Sequence, residues 1–490
     1  MAITHGVSVS EKATSVQSPN TATASLSVIV GTAPVNMGDV KNVNKPVLCF
    51  TRGEAVAACG YVAPKLDEAS GLKKYEYTIS EAIFTQFNLY GVAPVVFINV
   101  LDPAKHKTAA TTKNVTLDSK GGSAVIAEAG ILPDTIKLGN FVKDTDYVVT
   151  FDDDGSLVVT SLLNTDGTFK ITAGTSLTFT ADKLDPSAVT DEDIIGGIDA
   201  SGKKSGLELV DEVFPRFRLV PGQILAPGFS GNSAVAAVLD AKAENINGNY
   251  SGVSLCDIPT ETVKQYSAAP TWKSTNGVSG VSQIACYPMV TLDGVAYNYS
   301  SHLAGLIALT DSNNDDVPYV SPSNKSLKID GMALADGTEV VLDLPAANYL
   351  NQNGIVTALN RSDDWVCWGN RTACYPGNTD VKDNCIPVRR MFSWVGNTLI
   401  NTHFSQVDNP TNRRQIDTTI DSANLMLNGW TARQYILGGS VSFLEDENPA
   451  TDLLDGISRY HVSIAPPPAN EKIEFIVEYN PSYISTLFSE

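Results

Sequence analysis

Basic residues are scarce in this chain of 490, where 34 Lys and Arg stand against 54 Asp and Glu, for a net charge of -20 and an isoelectric point near 4.6. So acidic a surface repels phosphate backbones and anionic lipid, which argues against nucleic acid as a partner. Hydrophobic residues make up 43% and mean hydropathy is -0.02, yet no window approaches eighteen uninterrupted apolar residues. No direct membrane insertion is expected. The five histidines, His5, His106, His302, His403 and His461, lack metal-ligand spacing, and the seven cysteines include no C-x-x-C. Seven is odd, so at least one thiol is unpaired. The rest are either packed reduced thiols or include one disulfide among Cys367, Cys374 and Cys385. The opening MAITHGVSVSEK has neither the basic start nor the apolar core of a signal peptide, so assembly where the chain is made, in the cytoplasm, is expected.

What is present is length enough for two to four domains. Ile3, Val7 and Val9 alternate with polar neighbours as in a strand, and KATSVQSPNTATAS follows as a flexible tether. The other end mirrors this arrangement. Pro466, Pro467 and Pro468 form a stiff spacer, and EKIEFIVEY then puts Ile473, Phe475, Val477 and Tyr479 on one face. A lone strand cannot satisfy its own backbone or bury its apolar face, so each must join a sheet edge, in its own domain or in a neighbour.

Between these arms, residues 26–103 alternate apolar strands (SLSVIVGTA, PVLCF, PVVFINVL) with a helix at about 80–89, the pattern of a buried, mostly parallel sheet. The theme resumes near Gly206 with FRLVPGQILAPG, a helix at about 233–246 and GVSLCDIP. The interruption, 104–201, carries eight lysines against fifteen acidic residues. Its hairpin signals, YVVTF-DDDG-SLVVTSL and FKIT-AGT-SLTFTA, predict a small antiparallel β domain projecting from the body. The fold class is therefore α/β and multi-domain. An N-terminal arm and linker (1–25) leads into an α/β core (26–103 and 202–360) that holds the inserted β domain. A C-terminal α/β domain (361–465) and a C-terminal arm (466–490) follow. In the C-terminal domain a helix at about 418–428 and strands near 440–443 and 459–464 are predicted.

Catalytic patterns fail on detail. APGFSGNSAVAAV places Ser230 and Ser233 between strand and helix, but Asn232 stands where a nucleophile elbow needs Gly, and no His is an evident partner. Helix capping by Ser230 or Ser233 is the plainer expectation. TDSNNDDVP offers Asp311, Asn313 and Asp315 at alternate positions, but Asp316 and Pro322 occupy the Gly and Glu slots of a calcium loop. FDDDGS reads as a turn. No enzyme, cofactor or metal site is expected, and a degenerate hydrolase is the weakest reading. The pairs Arg389-Arg390 and Arg413-Arg414 are either a docking surface for an acidic partner or internally paired with acids such as Asp408 and Asp417.

From HGVSVSEK to YNPSYISTLF the chain resembles the tail sheath proteins of contractile bacteriophages, with their relatives the R-type bacteriocins and contractile injection systems. The resemblance rests on SSHLAGLIALTDSNNDDVPYVSPSNKSLKIDG, ANYLNQNGIVTALN, WGNRTACYP, RRMFSWVGNTLINTHFSQVDNPTNRRQIDTTIDSANLMLNGWTARQYILGG and FLEDENPATDLLDG. It spans nearly everything except 104–201, where this family tolerates decorations. It implies a mechanical subunit with a subtilisin-like middle region, stacked in six-membered rings around a rigid inner tube. The extended array would be metastable, and its contraction would drive the tube through a target envelope. The implied partners are further copies of itself, a tail tube protein, and baseplate and terminator proteins, in a virion tail or phage-tail-like particle. The arms, with Ile3, Val7, Val9, Ile473, Phe475, Val477 and Tyr479, would add strands to neighbouring subunits. Arg413, Arg414 and Asn424 would face the tube. A self-assembling surface or tube protein of another kind is the alternative, and it would need neither inner tube nor two lengths.

Overall fold

The computed structural model describes residues 20–119, 122–152, 154–361 and 364–488. Largely apolar strands must be covered on both faces, and the sheet that such strands form here takes in eight segments. They are Ser27–Gly31 (β1), Pro46–Cys49 (β2), Val95–Asn99 (β3), Gln223–Leu225 (β4), Val253–Asp257 (β5), Gln283–Cys286 (β6), Ile355–Arg361 (β7) and Asp364–Trp368 (β8). Their order is β2-β3-β1-β4-β5-β6-β7-β8, parallel from β3 to β7, with β2 and β8 antiparallel at the ends.

Because side chains alternate along a strand, this sheet feeds two cores. Ile29, Phe97 and Leu225 pack on one face with Leu303, Leu306 and Ile307 of helix Tyr299–Ser312, while Val28, Val96 and Ile224 pack on the other. The second core takes in Val235 and Leu239 of Ser233–Glu244 (α1), so the long helix Tyr299–Ser312 is α2. It also takes in Trp394 of Ile386–His403 (α3) and Leu427 and Trp430 of Arg413–Ala432 (α4). The C-terminal helices are thus continuous with the sheet's second layer. The expected boundary at 360/361 falls at the turn of the β7–β8 hairpin, and β8 belongs to the central sheet. A second hairpin, Gly438–Ser442 (β9) with His461–Ala465 (β10), packs its Val441 beneath α4.

Within 104–201, Tyr147–Phe151 pairs with Leu157–Ser161 as the turn chemistry predicts, with Asp152 and Asp154 carboxylates both accepting the Ser156 N–H. The second expected hairpin is not formed. Ser176–Thr180 pairs with Lys113–Thr116 and Lys137–Leu138 instead, because FKIT turns back toward the preceding strand: the Lys170 N–H reaches the Leu162 carbonyl, and the Ile171 N–H the Ser161 hydroxyl. A separate small core, including Ile126, Tyr147, Leu157 and Phe179, lies inside this region. Leu184, Val189 and Ile194, however, pack into the second main core.

Among the described residues no helix is long and apolar enough to cross a membrane. All seven cysteines are free and buried, so no disulfide joins Cys367, Cys374 and Cys385.

Candidate assembly interface

The segment expected to be a flexible tether up to Ser25 is held fast from Asn20 onward. Four side chains of α3, each four residues from the next and so on one helix face, grip its backbone. Thr402 Oγ1 accepts the Asn20 N–H (3.1 Å) and Thr398 Oγ1 accepts the Ala22 N–H (3.2 Å). Trp394 Nε1 donates to the Ala22 carbonyl (3.0 Å), and Arg390 Nη2 to that of Ala24 (3.4 Å). Small Ala and Thr side chains, which look like linker composition, are what let the chain lie this close, and Ala22 and Ala24 are buried. Ile3, Val7 and Val9 lie outside the described residues.

Arg390 also settles the question of the first basic pair. It is 3% exposed and its two terminal nitrogens meet both carboxylate oxygens of fully buried Asp311, one at 3.0 Å. Burial holds the Asp311 carboxyl above its usual range against the pull of Arg390. Arg389 lies 3.7 Å from Asp383. Both arginines are therefore internally paired, but with Asp311 and Asp383 rather than Asp408 or Asp417. Two of the three acids of TDSNNDDVP are likewise engaged inside the fold, Asp311 by Arg390 and Asp315 by the Tyr435 hydroxyl (2.7 Å). The second pair lies in the first turn of α4. Arg413 meets Asp417 at 3.0 Å in an exposed i, i+4 pair, and Arg414 is exposed with no ion pair among the described residues.

Ser230 is fully buried and its Oγ accepts the Asp257 N–H (2.9 Å), with no His bonded to it. The cap of α1 is Asn232, whose side chain accepts the Ala234 N–H (2.8 Å), so neither serine caps that helix. Asn lies one residue before the first helical position and reaches the N–H two residues on, as Ser230, already turned toward β5, does not. The N-terminus of α2 has no cap of its own. Two buried carboxylates supply it: Asp257 accepts the Ser300 N–H (2.8 Å) and Glu81 the Asn298 N–H (3.0 Å). Burial pushes Glu81 up to about 8 and Asp257 to about 6. Sequence reading missed this pair because the partners are 217 and 43 residues apart.

The C-terminal arm is different in kind. Ile473, Phe475, Val477 and Tyr479 are 68%, 86%, 91% and 78% exposed, and residues 471–480 pair with no strand among the described residues. The arm's root is fastened, since Arg371 donates to the Glu471 carboxylate (2.7 Å). Between the segment 467–475 and the body runs an open groove of about 1480 Å³, lined among others by Tyr319, Asn348, Trp368 and Gln434. Asn424, expected to face outward, is half-buried, and its amide exchanges two hydrogen bonds with Val441, at 3.0 and 2.8 Å. The arrangement offers an apolar strand held away from its own sheets, an acidic body and a cationic corner at Arg413 and Arg414.

No family model matches this sequence. It is 27% identical over 99% of its length to 98% of the tail sheath protein of Burkholderia phage BcepMu. Over 60% of its length it is 26% identical to 73% of a putative prophage major tail sheath protein of Pseudomonas aeruginosa. Its fold matches the sheath of an extracellular contractile injection system in the contracted state, with a TM-score of 0.59 and 12% identity over 98% of this chain and 99% of that one. A sheath tail protein of Desulfitobacterium hafniense gives 0.52 with 11% identity over 89% and 93% of the two chains.

Proposed function

We propose that this chain, which belongs to the contractile tail sheath family, builds a cylinder of stacked six-subunit rings around a tail tube, starting from a baseplate and ending at a terminator. It is a structural subunit and not an enzyme. The observation that carries the linking mechanism is the C-terminal arm, an alternating apolar segment left exposed and, among the described residues, unpaired. Residues 471–479, and Ile3, Val7 and Val9 at the other end, complete sheets of neighbouring copies. Backbone hydrogen bonds make the joint while residues 466–470 adjust, so copies rotate and slide without parting. Such head-to-tail links do not close on themselves and give a helical array.

Contraction takes its energy from the array itself: an extended, metastable packing relaxes to a lower one, and ring-to-ring contact spreads the change. The mostly parallel sheet covered on both faces supports a subtilisin-like core, and the separate small core within 104–201 supports an inserted β domain on the outer surface. The first turn of α4, with Arg413 and Arg414, is the proposed tube contact. Asn424, spent on Val441, is left out of it. Assembly takes place in the bacterial cytoplasm and the product is a virion tail or phage-tail-like particle.

Negative-stain electron microscopy tests the proposal. The chain alone, then with its tube protein, should give hollow striated cylinders, shorter and wider without the tube. Removing residues 471–490, or 1–12, should leave a folded monomer that does not polymerise. Normal cylinders from both truncations would overturn strand exchange.

A further inference from the structure

The two ends of the hairpin β9–β10 differ in charge. The groove beside the arm's root lies where β9 begins and β10 ends, and Leu437 and Pro467 line it there. Among its described lining residues Lys325, Arg361, Arg371 and Lys472 are basic and Glu471 alone is acidic, in a chain of net charge -20. Arg371 is spent on Glu471 and Lys472 on Glu474. Lys325 and Arg361 are exposed, and neither has an ion pair among the described residues. The groove also offers apolar surface, since Leu437 is 66% exposed. The opposite end carries the converse. The connection from β9 to β10, residues 443–460, exposes Leu454 by 87%, together with Glu445, Asp446 and Asp455, which have no ion pair among the described residues. Asn448 fixes the base of this tip: its amide donates to the carbonyls of Leu444 (2.8 Å) and Arg459 (2.9 Å) and accepts the Arg459 N–H (2.7 Å).

From this polarity we infer that the acidic tip of one copy docks in the basic groove of the next, with Glu445 and Asp446 meeting Lys325 and Arg361 while Leu454 packs on Leu437. The inference rests on the sheath reading above and adds a joint that uses neither arm and no strand pairing. The occupant is a second copy because one protrusion of this chain supplies both the carboxylates and the apolar side chain that the groove lacks. A copy does not fill its own groove. The five-residue strands of the hairpin, at about 3.4 Å per residue, hold tip and groove about 17 Å apart. Two different patches meet in such a contact, so each addition leaves a free tip and a free groove and the contact propagates from copy to copy. Copies this acidic repel one another, and a groove that answers a neighbour's carboxylates with cations fixes which way the neighbour faces.

Charge exchange tests this. Lys325→Glu with Arg361→Glu reverses the groove, and Glu445→Lys with Asp446→Lys reverses the tip; all four side chains are exposed, so each monomer should melt as the unmodified chain does. Each reversal should raise the protein concentration needed for tubes by about tenfold or more, as juxtaposed like charges do at an interface. All four changes in one chain restore opposite charges across the joint and should bring that concentration back. Unchanged assembly of either reversed protein, or no recovery in the fourfold variant, overturns the docking and leaves the sheath reading standing. A second measure holds where a reversed monomer does not fold. Leu437→Cys combined with Leu454→Cys, in a chain whose native thiols are buried, should give a ladder of covalent multimers when intact tubes are oxidised, because within one copy the two positions lie beyond disulfide reach. An intramolecular bridge without multimers, or no bridge in intact tubes, overturns the docking. Failure of the unmodified chain to form tubes even with its tube protein overturns both the docking and the sheath reading.

Discussion

Replacing Asp311 by Leu leaves the Arg390 guanidinium, 3% exposed, facing an apolar side chain, with only the Ala24 carbonyl left to it. Removing one partner of a buried ion pair costs about 3–5 kcal/mol, because the remaining charge has lost its counter-ion and water cannot replace it. Arg stays protonated at every accessible pH, so the orphaned guanidinium cannot escape by losing its proton. Arg390→Met differs. Its orphan is Asp311, which escapes by binding a proton, and burial already holds that carboxyl above its usual range. A folded-state pKa above the unfolded one gives stability at low pH that is lost as pH rises through the folded value. Arg390→Met should therefore cost less at pH 5 than at pH 8. The double variant Asp311→Leu with Arg390→Met should recover most of the loss, since two apolar groups of similar volume replace the pair. Urea unfolding of the arm-truncated monomer measures all three. At a slope of about 3 kcal/mol/M, the first single variant should lower the midpoint by about 1 M or more. Single losses under about 1 kcal/mol, or a double variant as weak as the sum of the singles, would refute the reasoning.

Glu81 and Asp257, held at about 8 and about 6 by burial, should make stability fall as pH rises from 5 to 9, and Glu81→Gln should flatten the upper part of that fall in pH-dependent melting. Lys273, buried against the Ala373 and Tyr375 carbonyls (2.7 and 2.8 Å) and lowered to about 8 by desolvation, acts in the opposite sense. Its contribution to stability should rise between pH 8 and 10, partly offsetting the fall from Glu81, and Lys273→Met should remove that offset. All seven thiols should resist a maleimide in the native protein and react after denaturation, as burial also pushes Cys49 and Cys59 up to about 12. Excising 107–184 takes Leu132 and Leu184 from the main core and excising 104–201 takes Val189 and Ile194 as well, at about 2 kcal/mol each, so both cuts should lower the melting temperature and the longer one more.

Patterns confined to one element were readable in the chain. The apolar runs of β1, β3 and β5 mark a buried parallel sheet, and α1 and β9 lie within two residues of where periodicity puts them. α4 begins at Arg413, five residues before the expected start, because its first three residues are polar and it announces itself only through the Asn412 cap. What composition could not show were bonds between distant segments. KATSVQSPNTATAS reads as linker, yet its end is fixed by α3 more than 360 residues away. The partner of Arg390 lies 79 residues off, behind closer acids that it ignores. Asn424 looked like an outward-facing helix residue because nothing local tells an exposed amide from one that seals a strand.

The row Arg390, Trp394, Thr398 and Thr402 decides where a pull on the amino-terminal segment is felt. The leash is riveted at Asn20, not at Ser25, and its four rivets follow one another from Asn20 to Ala24. The last rivet, Arg390, is bolted to Asp311 at the end of α2. Tension on this segment thus runs through α3 into the helix that lies against the central sheet, and a pull on it is borne by the core.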